Sequence, residues 1–206
     1  MTGGSIGRVD MKLDNNIFDM SGGNITGNLV TAFGRDTIIL SGGSIGGNIS
    51  VSGGDDSVTV TGGTVGGEIR LSVGDDRFVW RDAGTLKGAV LMGDGNDTAV
   101  LGNLTETLLS STPAIDGGPG ADKLSVENSS PESGARYINW ETINLAQTSS
   151  LTLNDTLTLG DSTTGTGVLT LDATSRIGSS QGVINAYASG QKVSVNNAGL
   201  IDLTSS

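Results

Sequence analysis

The chain repeats itself about every 20 residues through its first half. Each unit holds one lone apolar residue and two short stretches in which apolar and polar residues alternate around an acidic turn. A fixed period of this length is typical of a solenoid, because a single coil cannot bury its apolar residues without its neighbours. Glycine pairs open the units, namely Gly3-Gly4, Gly22-Gly23, Gly42-Gly43 and Gly62-Gly63, and Ala83-Gly84 opens a degenerate fifth.

The alternation has a period of two residues, which is typical of strands with one buried face. In the third unit Ile49 and Val51 form one such face, Val58 and Val60 form a second, and Ile45 supplies a short third. Glycine-rich corners separate the three faces. The sequence therefore predicts an all-β protein, a right-handed three-sided parallel β-helix with coils of about 20 residues.

Residues at equivalent positions of successive coils are expected to stack in columns with a spacing of about 4.8 Å. Four columns are apolar throughout and are predicted to form the core, since β-branched side chains pack well on a pleated surface. They are Ile6, Ile25, Ile45, Val65 and Leu86; Val9, Leu29, Ile49, Ile69 and Val90; Phe18, Ile38, Val58, Phe78 and Ala99; and Met20, Leu40, Val60, Trp80 and Leu101.

The repeat changes character along the chain, which divides one continuous predicted domain into three parts. Residues 1–101 are regular coils, residues 102–136 are irregular coils and loops, and residues 137–206 continue as less regular coils. Loop-like excursions are predicted at 102–114 and 127–136, and no segment has a helical period. Later alternating stretches are Tyr137–Leu145, Leu151–Leu153, Leu157–Leu159, Leu169–Leu171, Val193–Val195 and Leu200–Leu203.

Composition excludes several classes of function. The 22 acidic residues outnumber the 11 basic ones, and the net charge of −11 disfavours nucleic acid and anionic membranes as partners. The chain has no cysteine, so a disulfide framework is excluded, and no histidine, which removes the commonest general base. No apolar run reaches the roughly 18 residues that span a bilayer, so we expect no membrane insertion by these residues.

The acidic turns form the sharpest candidate site. Gly117–Ser125 matches every position of the calcium-binding nonapeptide G-G-x-G-x-D-x-U-x, and Met92–Val100 matches it nearly. Ca²⁺ takes six to eight oxygen ligands, so Asp97 and Asp122 are candidate ligands for Ca²⁺, the one cofactor the sequence suggests. Their aligned column is Asn16, Asp36, Asp56, Asp76, Asp97 and Asp122, and its neighbour is Asn15, Arg35, Asp55, Asp75, Asn96 and Ala121.

A second interpretation of these acidic turns needs no metal ion. Aspartate and asparagine bond to their own backbone in turns and tolerate left-handed conformations. Calcium nonapeptides normally recur every nine residues, with two corners in each coil, whereas this chain has one such corner about every 20 residues. Turn chemistry and Ca²⁺ binding therefore both remain open at this point.

The sequence predicts no catalytic residues and a protein that is not an enzyme. A serine triad of the familiar kind needs histidine, which the chain lacks. Asp75-Asp76 or Asp55-Asp56 could serve as the carboxylate pair of a glycosidase, although adjacent residues in a repeated corner are explained by the repeat. Trp80 lies in a core column, whereas Trp140 is predicted to cap a coil or, if exposed, to mark an interface.

Three segments carry a resemblance to a known family. Tyr137–Leu145 resembles the F/W-E-x-[I/L]-N-L segment of Gram-negative autotransporter (type V secretion) passenger domains, and Val193–Thr204 is similar to their N-N-x-G-x-I-x-L coil. The Gly-Gly units of residues 41–72 are similar to their degenerate repeats. The resemblance implies a β-helical passenger fragment displayed on the bacterial surface or secreted, with a signal peptide upstream and a membrane barrel downstream in the whole protein.

The resemblance also implies a function, which is adhesion or self-association by a surface-exposed stalk. Its partner would be a host surface molecule or another copy of the same chain, in the manner of a virulence adhesin. Autotransporter passengers also include proteases and esterases, so the fold alone does not choose among activities. Two alternatives from the residues are a calcium-binding β-roll-like structural module and a polysaccharide-active β-helical enzyme.

Overall fold

A computed structural model describes residues 1–202, and they form a parallel β-solenoid, as the repeat predicts. Three long parallel sheets of five, seven and nine strands make up the three faces. Each strand pairs with the equivalent strands of the coils before and after it, so every coil is its own crossover between parallel strands. Leu203 and Thr204, which end two of the predicted stretches, lie outside the described residues.

The strands of the regular half are short, because each covers only one side of a coil. In chain order they are β1 (Thr2–Ile6), β2 (Val9–Asp10), β3 (Ile17–Met20), β4 (Gly22–Ile25), β5 (Leu29–Val30), β6 (Thr37–Leu40), β7 (Ser44–Ile45), β8 (Ile49–Ser50), β9 (Ser57–Val60), β10 (Thr64–Val65), β11 (Ile69–Val73), β12 (Arg77–Arg81), β13 (Thr85–Leu86), β14 (Val90–Asp94) and β15 (Thr98–Gly102).

The second half contains a single helical turn, α1 (Glu106–Leu109), and eleven strands. These strands are β16 (Ile115–Asp116), β17 (Lys123–Glu127), β18 (Tyr137–Ile138), β19 (Thr142–Ala146), β20 (Ser150–Leu153), β21 (Leu157–Leu159), β22 (Thr166–Leu171), β23 (Arg176–Ser179), β24 (Ile184–Ala186), β25 (Lys192–Asn197) and β26 (Leu200–Asp202).

The three faces differ in how far they continue along the axis. The first runs β1-β4-β7-β10-β13, the second runs β2-β5-β8-β11-β14-β16-β18, and the third runs through nine strands from β3 to β25. Two small sheets, β20-β23-β26 and β21-β24, form beside the later strands of the third face. The third face therefore extends furthest along the axis, whereas the first face ends at β13 and the second at β18.

The strand registers confirm all four predicted core columns residue by residue. In the column of the third face, for example, Ile38 pairs with Val58, Val58 with Phe78 and Phe78 with Ala99. Members of the inner coils are buried almost completely. Ile6 in the first coil keeps 45% of its surface exposed, because no described coil lies beneath it.

An ion pair links the segments in which the two excursions are predicted. The first contains α1, whose Leu109 is buried beside Leu104 where the first face loses its strands. The Arg136 guanidinium, only 8% exposed, donates to both carboxylate oxygens of Glu106, at 2.9 Å from Nη1 and 2.5 Å from Nη2. The ion pair therefore ties the end of the second excursion to the helical turn of the first.

The sequence did not predict two of the later strands, β23 and β24. In β23 only Ile177 is apolar and buried, and the flanking residues are polar or glycine, so the period of two is absent. The strand forms because Leu151 and Ile201 on the neighbouring strands pair with Ile177 from both sides. Stacking on formed coils thus imposes strand geometry where local alternation is missing.

Candidate functional site

The acidic column, defined as Asp36, Asp56, Asp76, Asp97, Asp122 and Glu141, runs inside the corner that precedes six strands of the third face, β6, β9, β12, β15, β17 and β19. Their exposures are 0 to 2% for the aspartates and 6% for Glu141. Carboxyl groups are rarely buried to this extent unless they are paired or hydrogen-bonded. The acidic column is therefore the main group of buried carboxyl groups among the described residues.

Each carboxyl group of the acidic column binds the backbone of the preceding coil. One side-chain oxygen accepts the N–H of the residue one coil earlier, so the bonds form a continuous ladder along the axis. The donor and acceptor residues, with N···O distances, are Asn16 to Asp36 (2.8 Å), Asp36 to Asp56 (2.7 Å), Asp56 to Asp76 (2.7 Å), Asp76 to Asp97 (2.7 Å), Asp97 to Asp122 (2.7 Å) and Asp122 to Glu141 (2.7 Å).

The outer column, one residue earlier in each coil, bonds in the opposite direction. Here the side-chain oxygen accepts an N–H from the following coil, as when Asp55 accepts from Asp75 at 3.2 Å and Asp75 accepts from Asn96 at 2.8 Å. Arg35 has no acceptor oxygen, and its guanidinium instead pairs with Asp55 at 2.8 Å. Adjacent coils are thus clamped in both directions at one corner.

The second oxygen of each acidic-column carboxyl group is buried and has no hydrogen-bond donor among the described residues. Burial, followed by the charges of neighbouring carboxylates, raises the pKa of Asp76 to about 7 and that of Asp122 to about 8. The same causes raise the pKa of Glu141 to about 7, and burial raises the pKa of Asp56 and Asp97 to about 6. The backbone N–H bonds favour ionisation but are outweighed by burial.

Glu141 is the member of the acidic column that the repeat did not identify. It occupies the aspartate position because Thr142, the next residue, pairs with Lys123, which follows Asp122. The longer side chain places its Oε2 at 2.7 Å from the Asp122 nitrogen. In the next coil Val168 pairs with Thr142, so Gly167 takes the position and the ladder ends for lack of a side chain.

The structure brings the two predicted calcium ligands together, and a hydrogen bond joins them to each other directly. Asp97 and Asp122 lie on neighbouring coils, and the Asp97 N–H donates to Asp122 Oδ1 at 2.7 Å. Over residues 1–202, no group of three or more acidic side chains is arranged to hold a metal ion. Ca²⁺ binding by these two residues stays a prediction, and its ligand set would need backbone carbonyls and water to reach six oxygens.

Thermal unfolding with and without millimolar Ca²⁺ tests the calcium prediction. A bound ion raises the melting temperature by mass action, Mg²⁺ raises it less, and Asp122→Ala abolishes the difference. Because Asp97 and Asp122 already take part in the backbone ladder, we expect Ca²⁺ to shift the melting temperature by less than about 2 °C. A larger shift that is lost in Asp122→Ala would establish the ion.

The adjacent acidic residues considered for glycoside cleavage face opposite ways. Asp56 and Asp76 are buried in the acidic column, whereas Asp55 and Asp75 are exposed in the outer column. A glycosidase pair must flank a shared substrate position, and neither adjacent pair does so. The geometry explains both pairs as parts of the coil-to-coil clamp.

Both tryptophans belong to the core. Trp80 has no exposed surface, as predicted from its column, and its indole N–H donates to the Ala83 carbonyl at 2.9 Å. Trp140 is equally buried and donates to the Ile115 carbonyl at 3.0 Å. The interpretation of Trp140 as an exposed interface residue is therefore wrong, because the coil containing Ile115 covers it.

The outer surface carries an apolar stripe, defined as Leu13, Phe33 and Val73, which are 60%, 70% and 56% exposed. Phe33 and Val73 flank Gly53 in the strand register, and Leu13 stands one repeat before Phe33. The Phe33 ring lies over Gly53, where an added Cβ would meet ring carbons at 3.1 and 3.2 Å. Because glycine has no side chain, the exposed aromatic ring can lie directly over the backbone at this position.

A shallow cleft of about 340 Å³ lies where the second face is interrupted between β18 and β21. It is lined by Ile138, Asn139, Thr158 and Tyr187 among others, and Tyr187 is 48% exposed. Beyond the cleft the two neighbouring segments are hydrogen-bonded again, since the Gly160 N–H donates to the Trp140 carbonyl at 2.8 Å. The cleft and the apolar stripe are on separate coils of the solenoid.

Comparisons with protein-family models, curated proteins and solved structures find no match for this chain. The similarity of its segments to autotransporter passengers therefore remains a resemblance of motifs. The part of the chain that the structure describes contains no helix of the length and hydropathy that crossing a bilayer requires.

Proposed function

We propose that this chain is a non-enzymatic, surface-exposed rod of the autotransporter passenger type, which acts in adhesion or self-association. The observation that carries the proposal is the apolar stripe on a stacked β-solenoid. Exposed apolar side chains that are aligned on a protein surface can mark a contact with another molecule. A solenoid displays such positions in line along its axis, which suits binding to an extended partner or to another copy.

The motif resemblance and the composition support the same proposal. The chain has no cysteine, which suits a passenger that crosses the outer membrane unfolded and folds outside. The net charge of −11 keeps the rod soluble and leaves hydrophobic contact, rather than attraction to anionic surfaces, as the means of adhesion. The partner proposed is a host surface molecule or a second copy of this chain.

The adhesive function can be tested with microspheres coated with the whole chain. Coated spheres are expected to cluster with one another or to attach to epithelial cells, and the double variant Leu13→Ser/Phe33→Ser is expected to lose most of this activity. Val183→Ser is the matched control, because Val183 is an apolar residue with 50% exposure outside the stripe. Spheres that behave like albumin-coated spheres in both assays would refute adhesion.

Two further experiments separate the remaining parts of the proposal. Display between a heterologous signal peptide and an outer-membrane translocator should expose the chain to protease added outside the cell, and protection would count against surface display. Incubation with acidic polysaccharides tests the enzymatic alternative. Reproducible release of oligosaccharide products would overturn the non-enzymatic assignment whatever the outcome of the adhesion assay.

A further inference from the structure

We propose that the acidic column is a proton-dependent lock, whose carboxyl groups take up protons when the coils stack, so that mildly acidic solution strengthens the rod. The inference is independent of the proposed function, since it concerns the folding of the chain alone. It rests first on the arrangement of the six carboxyl groups, which lie on consecutive coils from Asp36 to Glu141.

The first step is the environment of the carboxyl oxygens. One oxygen of each group accepts a backbone N–H, and the other is buried without a donor. An ionised carboxylate buried with a single hydrogen bond keeps an uncompensated charge, whereas a neutral carboxyl group in the same place is much less costly. The geometry therefore favours the protonated forms of Asp56, Asp76, Asp97, Asp122 and Glu141.

The second step is the repetition of these groups along the axis. Coils of a parallel solenoid stack at about 4.8 Å, and charges of the same sign this close in a dry interior repel strongly. Each ionised carboxylate thus disfavours ionisation of the groups above and below it. The column therefore titrates as a coupled set, which is why a shared lock and not six separate sites is inferred.

The third step is the charge of the surroundings. The groups beyond the column that act on its members are themselves acidic, within the part of the chain that is described. Asp55 acts on Asp56 and Asp76, Asp75 and Asp94 act on Asp97, and Asp161 acts on Asp122 and Glu141. The basic residues beside the column, Arg35, Arg77 and Lys123, are exposed at the surface, and Arg35 pairs with Asp55. These neighbours strengthen the preference for protonation.

The direction of the pH effect follows from these observations. The unfolded chain loses its carboxyl protons near pH 4, whereas the pKa values of Asp56, Asp76, Asp97, Asp122 and Glu141 in the folded state lie between about 6 and 8. The folded state thus binds more protons between these limits, and stability falls as the pH rises through this window. Each additional bound proton changes the folding equilibrium constant about tenfold per pH unit.

Other carboxyl groups do not mask the effect in this window. Hydrogen bonds and ion pairs from Lys12 and Arg35 lower the pKa of Asp10 and Asp55. A lowered pKa contributes stability that is complete above the unfolded value of about 4 and is lost only below it. These groups therefore act in strong acid, and the acidic column governs the range from mild acid to mild alkali.

Urea unfolding of the whole chain between about pH 5 and pH 8 tests the lock. We expect the folding constant to fall at least tenfold per pH unit in the upper half of the range. Asp76→Asn keeps an acceptor for the Asp56 N–H but cannot ionise, so it should reduce the slope and gain stability relative to wild type at pH 8. Asp10 is an exposed residue of β2 that does not act on any member of the acidic column, so Asp10→Asn is the matched control and should leave the slope unchanged.

Carbon-13 NMR of the side-chain carboxyl groups of the wild-type chain gives a second measurement that needs no variant. The carboxyl groups of Asp56, Asp76, Asp97, Asp122 and Glu141 should titrate at or above about pH 6, and the pKa of the Asp55 carboxyl group should lie below that of an unfolded aspartate. Stability that is flat or rises from pH 5 to pH 8, or column midpoints below about pH 5, would overturn the proposal. The NMR result decides the matter if Asp76→Asn fails to fold.

Discussion

Gly74→Ala is expected to destabilise the rod by at least about 3 kcal/mol, because the change combines backbone strain with a steric clash. Gly74 has a φ of +145°, a conformation that L-residues rarely adopt. A Cβ at this position would lie 2.0 Å from the carbonyl oxygen of Gly54 on the preceding coil. Relief of this clash would require the coils to separate and would weaken the carboxyl ladder two residues away.

The measurement is urea or thermal unfolding followed by circular dichroism, with Gly7→Ala as the matched control. An added Cβ at Gly7 meets no atom within 4 Å, and the residue does not have a positive φ. The control should therefore change the free energy of unfolding by less than about 1 kcal/mol. If Gly74→Ala were as mild as Gly7→Ala, close coil stacking at this corner would be refuted.

The close approach of the backbone at Gly74 recurs at the equivalent position of the other repeats. The equivalent glycines, each two residues before an aspartate of the acidic column, are Gly34, Gly54, Gly74, Gly95 and Gly120. All have positive φ angles, and an added Cβ at any of them would approach a backbone atom of the preceding coil within 2.4 Å. The recurring Gly-x-Asp is therefore a corner motif, in which glycine permits close stacking and aspartate clamps the backbone.

Arg136→Met is expected to cost about 3–5 kcal/mol, the usual effect of breaking a buried ion pair. Its guanidinium pairs with Glu106 and also donates to the carbonyl groups of Thr112, at 3.2 Å, and Glu132, at 3.0 Å. Removal leaves these acceptors short of a donor inside the irregular region. The loss should appear first as easier opening of both excursions, because the ion pair adds a side-chain link to the backbone contacts between them, such as the Thr105–Ser130 bridge.

Hydrogen exchange and urea unfolding would detect this loss, and Arg35→Met provides the matched control. Arg35 pairs with Asp55 on the surface, where the two side chains are 69% and 52% exposed. An exposed pair contributes about 0–1 kcal/mol, so the control should be nearly neutral. Equal effects of the two substitutions would show that the Arg136–Glu106 pair is not a structural tie.

The sequence by itself determined the architecture and the register of the regular half. Its period places Ile38, Val58 and Phe78 at equivalent positions, and coils of constant length stack only when equivalent residues are aligned. An inward residue must be apolar because the core has no water to solvate it. Periodicity and hydropathy were therefore sufficient to predict all four core columns.

Only the tertiary structure decided the chemistry of the acidic corner. The repeat aligned Asp97 with Asp122, but it could not show that Asp97 donates its N–H to the Asp122 carboxylate. Glu141 joins the column although its side chain is longer and its coil departs from the repeat. Such contacts depend on the direction of a side chain and on the backbone that faces it, which the period leaves undefined.

The irregular region depended on the tertiary structure for the same reason. Glu106 and Arg136 are 30 residues apart, and no period links them. Their pairing arises because the two segments stack on each other, as the Thr105–Ser130 bridge shows, and bury polar groups that need partners. The local sequence pattern predicts which residues recur in each coil. Contacts between segments that are not related by the repeat form only in the folded chain, where oppositely charged side chains meet away from water.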